Sequence, residues 1–295
     1  MEKFVLSCCS TVDLNKKYLE KRNISYLCFH YFLDGVEHAD DFGESIPYKD
    51  FYKKMVDGAS TKTSQINVET YYTYFENIIK SGKPLLHLTL SSGISGTFNS
   101  AIIAKNMILE KYKDAKIYVL DSLAASSGFG LLVDKLADLR DEGKDIDEVA
   151  KFCEENKLNL NHWFFSTDLT FYVRGGRVSK TSGFIGNMLH ICPLLNVNDE
   201  GKLIPREKCI GTKKAINSIV QKMVENAFNG TEYSDKCFIS HSDSLETAKK
   251  VAHAVEEKFP HLKHKIMIND IGTTIGAHTG PGTVALFFWG KKREA

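Results

Sequence analysis

The chain has 295 residues, enough for one large domain or two lobes of ordinary size. A hydrophobic fraction of 43% with a charged fraction of 25% is globular and excludes both a disordered chain and a membrane protein. Lys and Arg number 38 against 37 Asp and Glu, a net charge of +1, which lacks the basic excess that nucleic-acid binders use against phosphates.

The N-terminal segment 1–9 (MEKFVLSCC) has too short an apolar run for a signal peptide and reads as a first buried strand. Residues 60–65 (STKTSQ) form a polar segment ahead of a helix carrying Tyr71, Phe75, Ile78 and Ile79. Residues 84–90 (PLLHLTL) are a strand by length and by the flanking Gly82 and Ser91. After the loop 91–97, Phe98, Ala101, Ile102, Ile108, Leu109 and Tyr112 recur at helical spacing. Residues 116–121 (KIYVLD) give the next strand, then a Ser-rich loop and a helix through Leu132, Leu136 and Leu139. Asp145 with Glu148 makes a capping box ahead of Val149, Ala150 and Cys153. Polarity then rises at 157–161 (KLNLN), which marks the join between two halves.

In the second half, Ala215, Ile216, Ile219, Val220, Met223 and Val224 mark a helix. Residues 237–240 are a strand, followed by a helix through Leu245, Ala248, Val251, Ala252 and Val255. Strands at 266–271 and 284–289 complete the pattern. Alternating strands and helices predict an α/β protein: two packed lobes, about 1–157 and 158–293, with mainly parallel sheets flanked by helices. No stretch approaches the ~20 apolar residues of a transmembrane helix. Seven irregularly spaced cysteines without a C-x-x-C pair read as reduced thiols of a cytoplasmic protein.

In open α/β sheets ligands bind beyond the carboxyl ends of strands. Four such loops are rich in Gly, Ser, Thr or His: 91–97 (SSGISGT), 121–128, 241–244 (HSDS) and 272–282 (GTTIGAHTGPG). In the first, Gly93 and Gly96 let backbone approach a ligand, and a helix begins where Ser95 and Thr97 add hydroxyls. That combination suits a carboxylate or phosphate. The same residues also cap a helix and shape a turn, and this loop alone does not choose between the two readings.

Several segments together resemble the DegV family of bacterial fatty-acid-binding proteins. They are 10–14 (STVDL), 62–65 (KTSQ), 91–100 (SSGISGTFNS), 120–122 (LDS), 175–179 (GGRVS) and 275–282 (IGAHTGPG). Each is weak alone, but they occur in the family's order across nearly the whole chain, as a single domain over 3–291. The resemblance implies a long-chain fatty acid in a tunnel between two α/β lobes, with no other cofactor. Its carboxylate is expected at a polar mouth on Thr63 and Ser95, with His278 and Arg177 nearby or at a partner surface. Some relatives pass the bound acyl chain to a separate fatty acid kinase, which phosphorylates the carboxylate. Phe29, Phe165, Ile185, Met188 and Leu189 are candidate tunnel residues.

Two departures stand out: Cys9 precedes Ser10 and Thr11 where relatives commonly have Asp, and Ile66 follows Gln65 where Pro is frequent. Enzyme motifs fare worse. Gly93-Ile94-Ser95-Gly96 fails the G-x-S-x-G spacing, and no P-loop run occurs. His261 and His264 stand alone near a polar helix end and read as solvated, while His241, Asp243 and Ser244 read as a helix cap. The competing expectation is an acyl- or phosphoryl-transfer enzyme using Ser95 or His278. The carrier reading assigns the chain no catalytic residue and no metal.

Overall fold

The computed structural model describes residues 3–179 and 191–295. The chain begins with β1 (Val5–Cys9), α1 (Lys16–Lys21), β2 (Ile24–Leu27), β3 (His30–Leu33), β4 (Val36–Ala39) and α2 (Tyr48–Val56). Next come β5 (Thr61–Ser64), α3 (Val68–Lys80), β6 (Leu85–Thr89), α4 (Thr97–Lys111), β7 (Ile117–Asp121), α5 (Ser126–Asp141) and α6 (Ile146–Asn156). The second half holds β8 (Leu160–Ser166), α7 (Thr170–Arg174), β9 (Ile191–Val197), β10 (Leu203–Ile210) and α8 (Gly211–Asn226). It closes with β11 (Phe238–His241), α9 (Leu245–Lys258), β12 (Met267–Asp270), α10 (Thr273–Thr279) and β13 (Thr283–Trp289).

Three sheets form. The first, in order β2-β1-β6-β7, is parallel throughout. All five residues of β6 are buried, as expected for a strand covered on both faces. The helix after it starts where the sequence predicts, and Asp145 and Glu148 close the anticipated capping box at α6. Asn67 accepts from the Thr70 amide at 2.8 Å and so fixes the start of α3, with Ile66 buried beneath it.

The second sheet, in order β10-β9-β8-β13-β11-β12, departs from the parallel expectation: its neighbours are antiparallel except for β11 with β12. A parallel pair needs a long crossover, and α9 supplies one between β11 and β12. The β9–β10 link is only residues 198–202, with Gly201 at φ +72°, and so makes a hairpin. A small antiparallel sheet, β4-β3-β5, carries Thr63.

A second difference concerns 272–282, read from sequence as loop. Residues 273–279 form α10 instead. Its start is held from outside: the Gly272 amide donates to Asp13 at 3.0 Å and Thr273 Oγ1 to Asp40 at 2.7 Å. Tertiary hydrogen bonds thus override a composition of Gly and Thr that disfavours helix.

Candidate functional site

A cavity of about 440 Å³ lies among the ends of these elements, within the range of small-molecule pockets. Thr63, Ser95, Arg177 and His278, which the sequence picks from four separate segments, all line it. They converge at the end where Gln65 and Gly96 are solvent-exposed, so this end is the mouth.

Each polar residue is positioned by local structure. Thr63 sits on β5 opposite Tyr31 of β3, and its hydroxyl lies 2.7 Å from His278 Nε2. His278 comes from the last turn of α10, which packs beside α7 at Gly175. A Cβ on Gly175 would stand 2.3 Å from His278 Nδ1, so only glycine allows this approach. Ser95 Oγ accepts from the Thr97 amide at 3.3 Å in the turn that leads into α4, which leaves its own proton free to donate. Arg177 donates to Gly175 O at 2.5 Å and to Ile94 O at 3.2 Å, bridging the turn after α7 to the loop after β6. These two bonds use part of a guanidinium's five donors.

Burial, reinforced by the Arg177 charge, pushes His278 down to about 4, so its imidazole is neutral at pH 7. Its Nδ1 is buried without a partner among the described residues. The mouth therefore offers hydroxyls, amide groups near a helix start, an imidazole and one guanidinium. Such a set suits a single anionic group. No hydrogen bond joins Ser95 to His278 among the described residues, and the imidazole Nε2 is engaged by Thr63.

Behind the mouth the wall turns apolar. Phe29, Leu90, Phe164, Ile271, Ala285 and Phe287 line it, most of them buried. Phe29 thus lies where the sequence suggests, whereas Phe165 does not line the cavity. On β8 successive side chains alternate, so Phe164 faces the cavity and Phe165 the core behind the sheet. Ile185, Met188 and Leu189 lie outside the described residues. Tyr172, Thr283 and His162 also line the cavity and escaped sequence reasoning. For His162 and Thr283 the signal was the two-residue alternation of β8 and β13, masked because both faces of those strands are buried, whereas Tyr172 lies on the short α7.

Other candidates sit elsewhere. The His241 Nδ1 accepts from the Ser244 amide at 3.3 Å and caps α9. His261 pairs with Glu232 at 3.1 Å. Cys9 is buried against Tyr71, and burial pushes its thiol up to about 12, so it brings no charge in place of the carboxylate frequent in relatives. None of the described helices is long and apolar enough to cross a membrane.

A family model described as an uncharacterised protein of the DegV family matches residues 8–291. A DegV domain-containing protein of Clostridium perfringens is 40% identical over 294 residues, covering all of both chains. Among solved structures, a DegV lipid-binding protein from Thermotoga maritima superposes with a TM-score of 0.84 at 29% identity, over 99% of this chain and 100% of that one. A second Thermotoga maritima protein, whose structure revealed a fatty-acid-binding function, gives 0.82 at 28% identity over 99% and 100%.

Proposed function

The chain belongs to the DegV family, and on that premise we propose that it holds one long-chain fatty acid in this cavity, carboxylate at the mouth. The observation that carries the reading is the convergence of Thr63, Ser95, Arg177 and His278 at one end of a cavity whose remaining wall is mainly apolar. An acyl chain entering such a wall gains roughly 0.8 kcal/mol per CH₂ before ordering costs. The carboxylate would be costly to bury unpaired, and the hydroxyls, the imidazole and the guanidinium answer that cost. The two larger sheets serve as cores of two lobes, divided near residue 157, that clasp the ligand.

The chain performs no chemistry on the acid in this reading. It carries the ligand in the cytoplasm and presents the carboxylate to a fatty acid kinase. The solvent-exposed mouth beside Gln65 and Gly96 supports the presentation step, because it opens the carboxylate end to a phosphoryl donor.

Native mass spectrometry of the purified protein, followed by denaturing extraction, tests the carrier reading. One fatty acid per chain that exchanges with added oleate is the expected result. A protein that is empty and takes up neither oleate nor palmitate rejects it, and a lipid that never exchanges indicates a structural component instead. Kinase presentation is tested by adding a fatty acid kinase and ATP to the loaded protein, where absence of acyl phosphate rejects that step alone.

A further inference from the structure

β8 and β13 lie side by side, with His162 opposite Phe287, Phe164 opposite Ala285 and Ser166 opposite Thr283. Alternation puts these residues on one face, and His162, Phe164, Thr283, Ala285 and Phe287 all line the cavity. Thr283 follows α10 after three residues and stands near the mouth. His162 faces a residue four positions farther along β13, about 13 Å deeper in the wall at ~3.3 Å per residue.

There its nearest neighbours are the Phe287 ring and the backbone of α5. The Phe287 ring meets the imidazole edge-on at 5.4 Å, and Gly128 of α5 comes so close that a Cβ would stand 2.3 Å from it. His162 is 1% exposed, and neither ring nitrogen has a hydrogen-bond partner among the described residues. His87, equally buried in the first sheet, differs: its Nδ1 lies 2.9 Å from Ser7 Oγ. Burial and the nearby Arg293 charge push His162 well below the ordinary histidine range, so it is neutral. A neutral imidazole carries one N–H donor and one bare acceptor. Unmet buried polar groups are costly, and beside His162 the same two strands present Phe164, Ala285 and Phe287 to the cavity.

Resting on the fatty-acid reading, we propose that the cavity takes an acid bearing a hydroxyl group in the distal part of its chain, held by the His162 imidazole. A hydroxyl both donates and accepts, so it can meet the acceptor nitrogen or the N–H, whereas a plain methylene meets neither. The polar mouth then fixes the carboxylate and His162 reads oxidation farther along the chain.

The test is competition against bound stearate, followed by native mass spectrometry, using octadecanoic acids that carry one hydroxyl at successive carbons of the distal half. One position should be preferred over stearate by about tenfold, the worth of one buried hydrogen bond. His162→Phe should cancel that preference while still binding stearate, and His162→Gln, which keeps a donor and an acceptor, should retain part of it. Equal affinity across the wild-type series overturns the inference, as does a preference unchanged in His162→Phe or a preference for cis double bonds alone. Stearate binding with no hydroxyl preference rejects only this inference, whereas failure of every acid to bind rejects the fatty-acid reading itself.

Discussion

Asp134 and His162 belong to one fold and both have almost no solvent exposure, yet their surroundings differ. The Asp134 carboxylate accepts from Tyr18 Oη at 2.5 Å, from Arg22 at 2.6 Å and from Lys236 at 2.5 Å. It ties α1, α5 and the segment before β11 together, and Arg22 and Lys236 each extend the network to Asp138. His162 bonds to nothing described, and His278 leaves one nitrogen unmet. Where buried polar groups are saturated by the protein they are scaffold. Where they keep spare capacity around a cavity, the capacity is for something that enters it.

The sharpest way to break this comparison is to remove Asp134. Asp134→Ala removes the charge-assisted hydrogen bonds from Tyr18, Arg22 and Lys236, leaving the two cations only the more exposed Asp138 and Asp141, and should cost roughly 3–5 kcal/mol of stability, read as a lowered urea midpoint. The folded protein that remains should bind fatty acid with unchanged affinity. A loss of affinity at Asp134 without loss of stability would mean the network is not scaffold.

At the mouth the pattern should reverse. Thr63→Ala combined with Ser95→Ala removes two hydroxyl donors from a buried carboxylate, for an expected loss near 100-fold in affinity, or ~3 kcal/mol. The urea midpoint should fall by less than in Asp134→Ala, since the folded chain loses only the Thr63–His278 bond and the Ser95 bond to the Thr97 amide. Unchanged affinity in the double variant would remove these residues from the head-group site.

Acid sharpens the contrast further. His278 is pushed down to about 4, below its unfolded value near 6.5, so the unfolded chain binds more protons between those values. The stability held by its neutral form is fully present above pH ~6.5 and is lost as pH falls toward 4, on the order of 2 kcal/mol. Asp13 and Asp40, pushed up by burial, act with the opposite sign. The measurement is therefore the unfolding free energy of wild type minus that of His278→Gln, which should fall as pH drops from about 6.5 toward 4. A bound carboxylate stabilises the imidazolium, so lipid-loaded protein should also lose less than the empty form. Parallel pH profiles for wild type and His278→Gln would count against a neutral His278.

How far the sequence spoke depended on whether local chemistry and tertiary packing agreed. The strand at 85–89 and the Asp145–Glu148 cap were legible because a short apolar run and a box spacing act locally. The α10 helix was not, since its start is held by Asp13 and Asp40, more than two hundred residues away in sequence. β8 and β9 were missed because burial on both faces erases alternation, and β8 begins inside a segment whose polarity suggested a join. Thr63, Ser95, Arg177 and His278 were legible through the resemblance to the DegV family, and Ser95 and His278 also through strand-end loops where Gly and hydroxyl residues carry chemical meaning. A single histidine within an apolar strand carries none until its neighbours are known, which is why His162 was invisible.

The smallest effect is the most useful control. Asp145 accepts from the Asp147 and Glu148 amides at 2.9 Å, and the Glu148 side chain returns a bond to the Asp145 amide. The box lies at the exposed start of α6, and neither Asp145 nor Glu148 lines the cavity. Asp145→Ala should cost about 1 kcal/mol and lower Tm by roughly 2–3 °C in a chain of this size. Fatty acid affinity should not change at all. If it does fall, then modest destabilisation anywhere loosens the cavity, and the loss seen in the Thr63 and Ser95 variants no longer identifies a head-group site. If it holds, stability and binding are separable in this fold, and affinity changes at the mouth or at His162 can be read as chemistry of the ligand.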